Sequence, residues 1–230
     1  MKKVVKVLVI VLASLIVVLG AGFGFLYANG LSGMSHTSVA KEGQIKVACV
    51  GDSITYGHGI TGWPNNNYPS KLQEELGDDY HVNNYGVSGY CVQDYADKPY
   101  TSLNHYQDSL VYDADIVIFM MGSNDAKPKN WKGETAFLEA YSKLVTSYKN
   151  KGSKVYLCTP ATAYKVNFEI EPETVETIAN LVRTSAILLG CKVIDINNFT
   201  KDHPEWFLDG IHPNNDGAKA IATEIASKIK

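Results

Sequence analysis

Two short stretches of this 230-residue chain hold residue types that suit nucleophilic chemistry: Gly51-Asp52-Ser53 near the start and Asp209-Gly210-Ile211-His212-Pro213-Asn214 near the end. A serine hydroxyl attacks a carbonyl only when a base takes its proton. Histidine is the side chain suited to that task near neutral pH. Asp209, three residues before His212 in one loop, can accept the proton on the far ring nitrogen, fix the tautomer and stabilise the imidazolium as it forms. Two further stretches carry groups that can face a developing oxyanion. Residues 84–89 (NYGVSG) contain Gly86, whose N–H can approach a ligand with no Cβ in the way. Residues 121–125 (MGSND) contain Asn124, whose side-chain amide is a donor of the required kind, and the N–H of Ser53 completes the set.

Other polar residues in these stretches have simpler readings. Asp52 and Asp125 are expected to hold turns by accepting backbone N–H bonds. His58, His81, His105 and His203 lack such a constellation and read as surface or loop residues, with His203, next to Pro204, the second candidate for a base. Ser88 rivals Ser53 as nucleophile only if the first and last stretches are disregarded. The six histidines are scattered and no CxxC is present, so no metal site is expected.

To act together, these stretches need a common scaffold. Five short β-rich runs alternate with helical patterns: residues 45–50 (IKVACV), 80–85 (YHVNNY), 115–121 (DIVIFMM), 154–159 (KVYLCT) and 192–196 (KVIDI). Several are apolar at consecutive positions, as in strands covered on both faces. Between and after them, residues 68–77, 102–112, 134–152, 172–190 and 214–230 have helical spacing. Several of these end in Gly, and Pro172 suits a first helical turn. Such alternation predicts a parallel sheet with helices on both faces and sites at the carboxyl ends of its strands. Each of the four stretches falls at such an end or just ahead of the last helix.

The order Gly-Asp-Ser, Gly after the second strand, Gly-x-Asn-Asp after the third and Asp-x-x-His near the end resembles the SGNH hydrolases, also called GDSL esterases. Ser53, Gly86, Asn124 and His212 match the four residues for which that family is named, and Asp209 matches its triad acid. The resemblance covers residues 45–230. It implies a flavodoxin-like three-layer α/β/α sandwich and hydrolysis of esters or thioesters through an acyl-serine, with neither metal nor cofactor. Ser53 does not sit in the GxSxG elbow of the α/β-hydrolases, because position 55 is Thr.

The chain divides into three parts: residues 1–26, 27–44 and 45–230. Residues 7–26 form an uncharged apolar run of 20, preceded by Lys2, Lys3 and Lys6, which suits a membrane-spanning helix. A signal peptide ordinarily has an apolar region of only ~7–15 residues and a small-residue cleavage site. An uncleaved anchor is therefore the preferred reading. No Lys or Arg follows until Lys41, so the lysine side stays in the cytoplasm and the rest lies outside the cell. If the segment is cleaved, the protein is secreted. Residues 27–44, rich in Gly, Ser, Asn and Thr, read as a flexible tether. Without the three lysines, 18 basic side chains face 24 acidic ones, which excludes a nucleic-acid partner. The four cysteines, three of them in or beside apolar runs, read as free buried thiols.

The substrate is less legible. Aromatic residues cluster in the loops after strand ends, and GWPNNNYP (62–69) joins an aromatic to three amides, a combination that suits a sugar ring. Tyr56, Trp63 and Tyr90 are the expected substrate-binding residues. Short connections suggest a small acyl group, so the expected reaction is removal of acetyl from an extracellular or cell-wall carbohydrate. Three alternatives remain: a lipase or thioesterase acting on longer chains, a surface O-acetyltransferase, and a non-catalytic glycan-binding module.

Overall fold

A computed structural model of the chain describes residues 2–28 and 37–230. The elements run α1 (Lys2–Ala28), β1 (Ile45–Gly51), α2 (Ser53–Tyr56), α3 (Tyr68–Leu76), β2 (Tyr80–Gly86), α4 (Asn104–Val111), β3 (Ile116–Met120), α5 (Glu134–Lys149), β4 (Lys154–Cys158), α6 (Pro172–Leu189), β5 (Lys192–Ile194), α7 (Ile196–Thr200) and α8 (Asn215–Ile229). The five strands form one parallel sheet in the order β2-β1-β3-β4-β5.

The contiguous apolar strand runs are explained by two cores. Successive strand side chains point to opposite faces. Ala48, Val50, Val117 and Phe119 therefore pack with Phe137 and Tyr141 of α5 and with Ile178 and Val182 of α6. Their neighbours Val47, Cys49, Ile118 and Met120 pack on the other face with Leu72 of α3 and Ile221 and Ile225 of α8. The result is the expected α/β/α sandwich. All four cysteines are free, and burial pushes the thiols of Cys49 and Cys158 well up, consistent with inert apolar packing.

Strand and helix ends differ from the sequence reading where side chains cap. The last strand stops at Ile194, not Ile196, because Asp195 turns the chain out of the sheet. Its carboxylate accepts the Asn198 N–H to cap α7, a helix the periodicity did not predict, and pairs with Arg183 at 2.8 Å. The segment 102–112 resolves into a 3₁₀ turn (Tyr100–Ser102) followed by α4.

Part of the expected tether, residues 29–36, lies outside the described residues. Residues 38–44, read as its continuation, are instead fastened to the sheet edge. Ser38 N–H donates to Asn83 Oδ1 at 2.8 Å, and Asn83 Nδ2 donates back to the Ser38 carbonyl at 2.9 Å. The ordered domain thus begins before Ile45. Within α1, Val11–Ala28 is long and apolar enough to cross a membrane, a test that a signal sequence also passes.

Candidate active site

Ser53 owes its position to the residues around it. A Cβ on Gly51 would lie 1.9 Å from Thr55 Oγ1 and 2.6 Å from the Met120 carbonyl, so only Gly lets β1 end this close to β3 and α2. Asp52 then caps α2, accepting the Ile54 N–H at 2.9 Å. Ser53 is the first residue of that one-turn helix, so its N–H has no intrahelical acceptor. Gly57 closes the turn with φ +90, and the N–H of His58 returns to the Ser53 carbonyl at 2.9 Å.

From the other end of the chain, the loop ahead of α8 reaches the same point. Asp209 Oδ1 accepts the N–H groups of Ile211 and His212 at 2.9 and 2.8 Å, which folds the loop back on itself. Asp209 Oδ2 lies 2.8 Å from His212 Nδ1, and His212 Nε2 lies 2.9 Å from Ser53 Oγ. An ionised carboxylate only accepts, so Nδ1 carries the proton and Nε2 is left to accept from the serine. Burial pushes the Asp209 carboxyl up, but its bonds from the His212 side chain and backbone, the His212 charge and the Ile211 N–H outweigh this and hold it well below the usual carboxylate range.

Asn124 sits in a 3₁₀ turn (Asn124–Ala126) directly after β3. Its Nδ2 gives one hydrogen to the Tyr90 carbonyl at 3.2 Å, which leaves a second for a ligand. Asp125 accepts the N–H groups of Val92 and Gln93 at 3.0 and 3.1 Å, tying this turn to the loop after β2. Burial pushes the Asp125 carboxyl up to about 6, against those two hydrogen bonds. Asp52 and Asp125 are therefore turn formers, as their residue type suggested.

The cavity over Ser53, about 180 Å³, is lined by His58, Ser88, Gly89, Asn124, Lys127, Phe168, Ile170 and His212. Gly86 is not among them, which corrects the sequence reading. Its N–H is spent on Asn84 Oδ1 at 2.9 Å, and a Cβ there would lie 2.2 Å from the Tyr56 backbone nitrogen. Gly86 lets β2 and α2 touch; it does not face a ligand. Gly89, three residues on with φ +89, lines the cavity, and its N–H has no partner among the described residues. Replacing Gly86 by Ala is expected to destabilise the fold by ~3 kcal/mol or more, because backbone would have to move. That lowers Tm by roughly 6–12 °C for a domain of this size. An unchanged Tm in thermal unfolding would show that Gly86 is no spacer.

The expected sugar-binding aromatics also need correction. Tyr56 and Trp63 are each 2% exposed and pack together in the core at 5.1 Å, and Trp63 Nε1 is bonded to the Tyr56 carbonyl at 2.7 Å. Neither offers a ring to a ligand. The half-buried Tyr90 ring packs on the core, and the residue reaches the site through its carbonyl.

Two cavity residues were missed. His58, expected to be a surface or loop residue, does lie in the turn after α2, and there its ring stands 4.7 Å from that of His212. The signal that could have found it is local: five residues after Ser53 and just past the Gly that ends one helical turn, the chain returns over the serine. Phe168, in the connection between β4 and α6, lies 5.2 Å from the His212 ring. Nothing local to its sequence marks it. His203 is engaged elsewhere, bonded to Glu205 at 2.8 Å and stacked on Trp206. Ser88 lines the cavity with a buried hydroxyl that has no partner among the described residues, but His212 Nε2 is already bonded to Ser53.

Residues 49–220 match the model of the GDSL-like Lipase/Acylhydrolase family. The chain is 33% identical over 239 residues to an acetylxylan esterase of Xylanibacter ruminicola, covering 92% of this chain and 50% of that protein. It thus spans about half the length of that relative. The crystal structure of the acetyl xylan esterase AlAXEase is similar with a TM-score of 0.66 and 26% identity, over 81% of this chain and 100% of that one. Est24, a carbohydrate acetylesterase from Sinorhizobium meliloti, shares the fold with a TM-score of 0.66 and 19% identity, over 81% and 98% of the two chains.

Proposed function

Since the chain belongs to the GDSL-like lipase/acylhydrolase family, we propose that this ester hydrolase removes small acyl groups, acetyl foremost, from an acetylated carbohydrate through an acyl-serine on Ser53. The observation that carries the proposal is the hydrogen-bonded line Asp209-His212-Ser53 opening into a cavity of about 180 Å³. Sites for drug-sized ligands run ~300–1,000 Å³. A cavity this small suits a short acyl group and the adjoining part of an alcohol.

Ser53 Oγ attacks the ester carbonyl while His212 Nε2 takes its proton. The carbonyl oxygen becomes an oxyanion, held by the Ser53 N–H, the free hydrogen of Asn124 Nδ2 and the Gly89 N–H, which takes the part first assigned to Gly86. On collapse, His212 gives its proton to the departing sugar oxygen and the C–O bond breaks. Water then attacks the acyl-serine with His212 again as base, which releases the acid and restores Ser53.

If Asn124 donates to the oxyanion, Asn124→Ala lowers kcat ~10²- to 10³-fold. Folding persists, because Asp125 still holds the turn. Unchanged steady-state kinetics would remove Asn124 from this role.

We place the domain outside the cell, held by α1 with its lysine end in the cytoplasm, or released if α1 is cleaved. The test of substrate uses the full chain in detergent on p-nitrophenyl acetate, butyrate and octanoate beside acetylated and non-acetylated glycans. Cleavage of acetate with kcat/KM falling steeply by octanoate, and acetate released from the glycan, supports the proposal. Preference for octanoate makes the protein a lipase and overturns it.

A further inference from the structure

On the acyl-serine route proposed above, whatever leaves must collect its proton from His212 Nε2, so the leaving oxygen lies within hydrogen-bond reach of that atom. Two rings pack against the His212 imidazole, His58 at 4.7 Å and Phe168 at 5.2 Å, and they stand 6.5 Å from each other. Both residues also line the cavity over Ser53. Ser88, Gly89 and Asn124 line the cavity with them, from the loops after β2 and β3 that hold the proposed oxyanion donors.

Resting on the carbohydrate reading above, we propose that Phe168 and His58 form the subsite for the leaving sugar: Phe168 stacks on a sugar ring, and the His58 imidazole hydrogen-bonds a hydroxyl beside the scissile ester.

Phe168 is 49% exposed at the cavity, although a free phenylalanine on a turn would gain by burial. Its backbone makes the placement more telling. Phe168 and Glu169 have φ of +50 and +63, the two central positions of a turn closed by the Ile170 N–H on the Asn167 carbonyl at 2.9 Å. Turns with two left-handed residues ordinarily take Asn and Gly there. The connection is also bolted to the catalytic loop. Asn167 Nδ2 donates to the Asp209 carbonyl at 3.1 Å, and the Tyr164 N–H donates to the Gly210 carbonyl at 2.9 Å. Glu169 pairs with Lys129 at 3.0 Å, and the Glu171 N–H reaches the Ala126 carbonyl behind Asn124. An unfavourable backbone held from both sides, presenting an exposed aromatic over the catalytic histidine, fits a ligand contact.

His58 complements it. Among the described residues its imidazole nitrogens have no hydrogen-bond partner, while its backbone is fixed by the bond to the Ser53 carbonyl. Burial and the neighbouring His212 push its pKa down, so at neutral pH the ring is uncharged and presents one donor and one acceptor. A sugar hydroxyl matches either.

The test compares kcat/KM on an acetylated xylo-oligosaccharide with that on vinyl acetate, whose leaving group reaches neither ring. Phe168→Gly suits the turn better than the native residue, so loss of the fold is not a concern. It is expected to lower the ratio of sugar ester to vinyl acetate about tenfold, mostly through KM. His58→Ala lowers the same ratio, and His58→Gln, which keeps a donor and an acceptor, restores part of it. A wild type that prefers the sugar ester, with variants that retain the preference or lose both substrates in parallel, overturns the subsite alone. A wild type with no preference overturns the carbohydrate reading and the subsite together.

Discussion

Ser53→Ala is expected to lower kcat on an acetate ester by ~10⁴-fold or more while the protein stays folded. The expectation follows from geometry: Ser53 Oγ is the hydroxyl bonded to His212 Nε2, at 2.9 Å, it lines the cavity, and the Ser53 N–H at the start of α2 has no intrahelical acceptor. Removing the oxygen removes the nucleophile but not the donors, so weak residual hydrolysis through oxyanion stabilisation remains. The stability change is small. Ser53 loses one hydrogen bond, a net ~1 kcal/mol. Its helix keeps the Asp52 cap and the Gly57 terminus. Turnover and Tm measured on the same preparation separate the two effects. A kcat within tenfold of wild type would overturn the assignment and turn attention to Ser88, the other hydroxyl lining the cavity.

Asp209→Asn is expected to cost ~10⁴-fold in kcat, nearly as much, without touching a reacting atom. Asp209 Oδ2 accepts from His212 Nδ1 at 2.8 Å, which leaves Nε2 bare to receive the serine proton. An amide at that position can offer an N–H instead, favouring the tautomer with the proton on Nε2 and leaving Ser53 without a base. Asp209 also links the site to stability. Its carboxyl is held well below the ordinary range, so its contribution is fully present above the unfolded value of 3.8. The contribution is lost as pH falls from there toward the folded value. Acid unfolding of the wild type below about pH 4 should therefore be steeper than that of Asp209→Asn. With the carboxylate 27% exposed, solvent screens the effect and it stays modest. A variant with wild-type turnover would show that the His212 tautomer is set by another group.

Much of the scaffold was legible because it depends on local pattern. Alternating strand and helix periods, Gly and Pro at element ends and strand runs apolar at consecutive positions predict a parallel sheet, and the five runs form one. The exceptions are equally physical. Residues 195–196 continue the strand-like run KVIDI, but the Asp195 carboxylate caps α7 and pairs with Arg183, which takes the chain out of the sheet.

In the site, residue types and order on the chain were enough to single out Ser53, Asn124, Asp209 and His212, because the chemistry demands a nucleophile, a donor, an acid and a base at strand ends. Composition likewise set the apolar N-terminal helix and the acidic surplus. Tertiary structure alone shows that Gly86 packs against Tyr56 with its N–H spent on Asn84 Oδ1, while Gly89 lines the cavity. It alone buried Tyr56 and Trp63 and brought Phe168 over His212. Burial and ring contact are sums over neighbours distant in sequence, which no local spacing records.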